Sequence, residues 1–106
     1  MPQSKEVADM QNKVAEFIET YGLFTDIQSR FIDLVSETGS LGKQILNSSD
    51  YGLRPVEKND ELSSKAGDTL FALLALLSDL GLNEEELLAE VLSRYEARMK
   101  ELTKES

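Results

Sequence analysis

The chain has 106 residues, 41% of them hydrophobic, with 11 basic and 20 acidic side chains and a formal net charge of −9; this length suits a single domain over residues 1–106. So acidic a balance repels phosphate backbones and anionic lipid, and neither a nucleic acid polymer nor a membrane surface is an expected partner. Histidine and cysteine are both absent, which excludes disulfides, the usual zinc ligand sets, and Ser-His-Asp or Cys-His catalysis.

Val7, Met10, Val14, Phe17 and Ile18 recur at steps of three and four, which predicts a first amphipathic helix over residues from about 4 to 20, stopping near Tyr21 and Gly22. Thr25 and Gln28 have the spacing of a capping box. After them Ile27, Phe31, Leu34, Thr38, Leu41 and Ile45 mark one face of a second helix that ends near Asn47. The stretch "NSSDYGLRPVEKND", 47–60, concentrates turn formers and is predicted as the long loop between two halves. A third helix follows from about Asp60 to Leu80, stopped by Gly81, and Asn83 with Glu86 repeats the capping pattern for a fourth. Leu87, Leu88, Val91, Leu92, Tyr95 and Met99 line that last helix, and the charged tail "KELTKES" is expected to fray.

No stretch alternates with a period of two, so the expected class is all-α, a four-helix bundle. The run "LFALLALL", 70–77, is far shorter than the roughly 20 residues of a membrane span. It makes the third helix apolar nearly all round, more than one thin bundle covers, and a homo-oligomer follows as an expectation. The N-terminal "MPQSKEVADM" has no apolar core of a signal peptide, so a cytoplasmic location is expected.

Without imidazole or thiol, chemistry has to rest on carboxylates, hydroxyls, lysine or a hard cation. Two short stretches bear on this. "DLVSETGSLGKQIL", 33–46, carries Glu37 with Ser40 three residues on, and "ELSSKAGDTLFALLALL", 61–77, carries Asp68 with Lys65 three residues before it. An i, i+3 pair of acids on each of two facing helices builds an oxygen cage for a hard cation. Here half of each pair is replaced, and on spacing alone solvated helix acids are the commoner role. Glu61, one turn before Lys65, is the neighbour able to lend a carboxylate from the same helix.

Taken in order, "LVSETGSLGKQIL", a loop containing "YGLRP", and "GDTLFALLALLSDLGLNEEELLAEVLSRYEARMK" resemble the MazG-like family of nucleoside triphosphate pyrophosphohydrolases over residues from about 5 to 100. The landmarks are Gly67-Asp68-x-Leu70-Phe71 and Tyr95-x-x-Arg98. The resemblance implies an all-α bundle completed by dimerisation, a homodimer or tetramer. It also implies a Mg²⁺ site that releases pyrophosphate from a nucleotide, with ligand positions at Glu37, Ser40, Lys65 and Asp68. Only Glu37 and Asp68 keep the catalytic and metal-binding carboxylates, with Glu61 as a substitute, so weak Mg²⁺ binding and weak or absent hydrolysis are expected. Lys43 and Arg54 are the residues expected to contact phosphate. Loss of chemistry leaves an alternative, a non-catalytic nucleotide-binding or protein-interaction module on the same scaffold.

Overall fold

A computed structural model describes residues 2–105, with side chains from Met10 to Lys104; Val7, on the predicted face of the first helix, lies outside the described side chains, and Ser106 outside the described residues. The elements are α1 (Pro2–Tyr21), α2 (Ile27–Ser48), α3 (Asp60–Asp79) and α4 (Glu84–Glu105). There is no strand among the described residues.

Local chemistry sets the boundaries. Three helices start on the same device, a short polar side chain accepting from the amide three residues on: Asp26 from Ser29 at 2.6 Å, Asn59 from Leu62 at 2.9 Å and Asn83 from Glu86 at 3.0 Å. Each satisfies one of the amides a helix start leaves without an intrahelical partner. The cap of α2 is thus Asp26 rather than the expected Thr25. Two helices stop alike. Gly22 and Gly81 take positive φ of 65° and 70°, and the amides after them turn back, Leu23 to the Ile18 carbonyl and Leu82 to the Leu77 carbonyl, both at 2.9 Å. This closing motif needs a left-handed residue, which glycine supplies without a Cβ clash.

The C-terminal tail does not fray within the described residues: α4 is helical to Glu105. Glu96 and Lys100 pair at 3.1 Å one turn apart, and Lys104 in the last turn complements the negative end of the helix dipole.

α2 and α3 form the main hairpin. The carboxylate of Asp79, at the end of α3, takes the Arg30 Nε at 2.7 Å near the start of α2, while Ser48 at the end of α2 shares a cavity with Asn59 at the start of α3. The pair is therefore antiparallel. α1 lies against α3, where Val14, Ile18, Leu74 and Ala75 make the small core with Phe71 packed on it; the Phe71 ring meets Phe17 edge-on at 6.0 Å.

α4 leaves this hairpin. The chain turns by 101° between α3 and α4, and the turn is held from α1: the Gln11 side-chain amide donates to the Leu82 carbonyl at 2.6 Å, and its oxygen accepts from the Glu84 amide at 2.8 Å. Among the described residues no single helix is long and apolar enough to cross a membrane.

Candidate functional site

The seam between α2 and α3 holds the residues singled out from the sequence. On α2 the partly or fully covered positions are Arg30, Leu34, Glu37, Ser40, Leu41, Gly42, Gln44 and Ser48, mostly at steps of three and four that define the side facing α3. On α3 the corresponding side carries Leu62, Lys65, Asp68, Thr69, Ala72 and Leu76. Glu37, Ser40, Lys65 and Asp68 are all half-buried, and none of them is open helix surface. An antiparallel register fixed by Arg30 with Asp79 at one end and Ser48 with Asn59 at the other brings the Glu37–Ser40 turn level with the middle of α3.

Within this seam Lys65 is paired with Asp68, Nζ to Oδ2 at 3.8 Å, the intrahelical pair that their spacing allows. With side chains 38% and 45% exposed, the pair adds only about 0.3–0.5 kcal/mol of stability. Its chemical effect is larger than its energetic one, because an ammonium stands on the carboxylate that a cation would need. Thr69 and Thr38 turn their hydroxyls back to the carbonyls of Lys65 at 2.9 Å and Leu34 at 2.7 Å, so neither hydroxyl is aimed across the seam.

Glu61 sits elsewhere. It is exposed, at the mouth of a shallow polar cavity of about 470 Å³ shared with Gln44, Asn47, Ser48, Asn59 and Asp60. Among the described residues no three or more His, Cys, Asp or Glu side chains converge in a way that could hold a metal ion. Hard cations take several oxygen ligands, carboxylates foremost, whereas Glu37, Ser40, Lys65 and Asp68 offer two carboxylates beside a neutral hydroxyl and an ammonium, a donor set that fits a divalent cation poorly.

The basic residues assigned to phosphate are engaged in the loop after α2. Lys43 Nζ donates to the Tyr51 hydroxyl at 2.7 Å. Arg54 Nε pairs with Asp50 at 2.9 Å. Both cations are exposed. Asp50, Tyr51 and Gly52 carry positive φ of 49°, 58° and 90° in succession, and the two that are not glycine hold a strained conformation. The loop is closed by the Tyr51 amide on the Leu46 carbonyl at 2.7 Å and the Arg54 amide on the Ser49 carbonyl at 3.0 Å.

Sequence reasoning did not find the Arg30 junction. Its guanidinium joins three segments, donating to Asp79 at 2.7 Å and to the Leu23 carbonyl at 2.6 Å, and it lies one turn from Leu34 on the seam side. A charged residue on an otherwise apolar helix face was the available signal. No family model matches the chain, and neither a curated protein nor a solved structure matches it.

Proposed function

We propose that the protein is a MazG-like member of the nucleoside triphosphate pyrophosphohydrolase group, working as a cytoplasmic homo-oligomer, in which the hydrolytic site has become weak or inactive. The Lys65–Asp68 ion pair carries this reading. It occupies the seam position where the resemblance places a metal-binding carboxylate pair, with Glu37 and Ser40 half-buried on the same seam. Divalent ions polarise phosphoryl oxygens and activate the attacking water, so a site that disfavours Mg²⁺ loses rate directly. Nucleotide binding through Lys43 and Arg54 does not require that ion. For this reason the same observation also favours a second reading, a nucleotide-binding or protein-interaction module without catalysis.

A thermal-shift series with nucleoside triphosphates, with and without Mg²⁺, separates these, because a ligand that prefers the native state raises its melting temperature. The expected result is a shift with nucleotide, little with Mg²⁺ alone, and slow pyrophosphate release. A turnover of about 1–1000 per second overturns the weakened site. No shift with any nucleotide leaves the protein-interaction reading.

A further inference from the structure

The chain exposes far more surface than its mass requires. Its accessible area is 8156 Å² for 11.8 kDa, whereas a compact monomer of that mass exposes about 5,900 Å², an excess of roughly 2,200 Å². The radius of gyration is 17.4 Å against about 13 Å for a compact domain of this length. Exposed large apolar side chains occur on every helix, and on α4 they form one continuous row. Leu88, Leu92, Tyr95 and Met99 follow one another at steps of four, three and four, and each is 56–60% exposed. That spacing is the seam of a helix that packs knobs-into-holes on another helix.

The same chain also offers a receptor for such a ridge. In the angle between α3 and α4 lies an apolar groove of about 300 Å³ whose walls include Leu70, Leu73, Leu77, Leu87 and Val91, and Leu88, the first residue of the ridge, also lines it. One further wall residue is Glu84, whose Oε1 is fully covered and has no hydrogen-bond partner among the described residues. The α4 ridge, Leu92, Tyr95 and Met99 foremost, is apolar in the same way.

From these features, and resting on the homo-oligomer of the proposed function, we infer that a second copy of this chain covers the groove, each α4 ridge seating between α3 and α4 of the other copy. A ridge and a groove of matching chemistry on one chain satisfy each other about a two-fold axis. The area agrees: an excess of about 2,200 Å² per chain, doubled, falls within the roughly 2,000–5,000 Å² that obligate homodimers bury. The 101° elbow between α3 and α4 leaves the groove open, and Leu92, Tyr95 and Met99 lie beyond the walls of their own chain's groove.

The absence of cysteine makes crosslinking a clean test in the full-length chain. Leu73→Cys, in the groove, and Leu92→Cys, on the ridge, are prepared separately, mixed and oxidised with a mild disulfide-forming reagent. The mixture is expected to give several-fold more linked dimer than either variant alone. In parallel, Leu92→Asp is expected to halve the mass by light scattering with helical circular dichroism unchanged, while Leu46→Asp, on the outer side of α2, keeps the dimer mass. A dimeric wild type whose cysteine pair does not link, or whose mass falls with Leu46→Asp and not with Leu92→Asp, overturns the ridge-in-groove arrangement and leaves the homo-oligomer standing. Efficient linking by Leu92→Cys alone means ridge meets ridge and overturns it too. A monomeric wild type overturns both.

Discussion

The α2–α3 seam and the α4 helix distribute polarity in opposite ways. The seam, the most enclosed helix pair in the chain, is threaded with Arg30, Glu37, Ser40, Gln44, Lys65, Asp68 and Thr69, all half-buried. α4, the least enclosed, turns Leu88, Leu92, Tyr95 and Met99 to the outside. In a protein complete as a monomer the two patterns would be exchanged, since apolar side chains gain about 25 cal/mol for each Å² removed from water and polar ones lose by being covered. The site proposed in the seam and the second copy proposed over α4 are the two readings that account for this contrast.

The sharpest way to break this contrast uses two adjacent leucines of α3. Leu74 is 3% exposed in the core with Val14 and Ile18, whereas Leu73 is 40% exposed on the groove side. Leu74→Asp buries an unpartnered charge and costs several kcal/mol, out of a total stability of about 5–15 kcal/mol; loss of the cooperative thermal transition is expected. Leu73→Asp is expected to keep that transition and lower the oligomer mass. Equal behaviour of the two by calorimetry and light scattering would mean that α3 has no distinct outer side.

A smaller effect tests the seam from its end. Arg30→Ala removes two hydrogen bonds and leaves the Asp79 carboxylate partly covered without its cation, which costs about 1–3 kcal/mol. The melting temperature is then expected to fall by roughly 4–8 °C per kcal/mol. Asp79→Asn, which keeps an acceptor for the guanidinium, is expected to cost less. An unchanged melting temperature for Arg30→Ala would show that the junction does not hold the hairpin.

Rebuilding the seam's charges probes its chemistry. Ser40→Glu with Lys65→Glu changes the formal charge by −3, one unit from the first and two from the second. Crowded carboxylates destabilise the metal-free variant. Mg²⁺ at ten times its Kd restores about 1.4 kcal/mol, and either single change gains much less, because the ligands act as one unit. Titration calorimetry showing no Mg²⁺ binding to the double variant would remove Glu37 and Asp68 from any shared site.

The smallest effect is a change of stability with pH. The amide and hydroxyl of Ser29 hold the Asp26 carboxyl below its ordinary range, so the cap contributes its stability above the unfolded-state pKa of about 3.9 and loses it as pH falls through the lower folded value. Asp26→Asn preserves an acceptor at the cap and removes that dependence. The difference in melting temperature between wild type and variant is expected to be constant near neutral pH and to change only in the acid range; a difference that moves between pH 6 and 8 would exclude Asp26 as its source.

The four helices were legible because their causes are local: apolar steps of three and four, Gly22 and Gly81 at the stops, Asn83 at a start. Asp26 was missed because two adjacent residues, Thr25 and Asp26, both have capping side chains, and sequence does not say which backbone turns extended. The side of α2 that faces α3 was only half legible. Leu34 and Leu41 belong to it, but Phe31 and Ile45, on the same apolar stripe in sequence, are exposed. Both sides of α2 carry apolar residues, and its one-dimensional pattern does not rank them. The elbow before α4 was not legible at all, since it depends on Gln11, 71 residues away from Leu82.

That single amide has a mechanical consequence. α4 is 22 residues long, about 33 Å at 1.5 Å per residue, and it pivots on the carbonyl and the amide that Gln11 grips. A 5° change of tilt at the pivot moves the far end by roughly 3 Å, about one layer of side-chain packing. Gln11 thus works as the fulcrum of a lever, and under the proposed pairing its replacement is expected to shift where two copies meet.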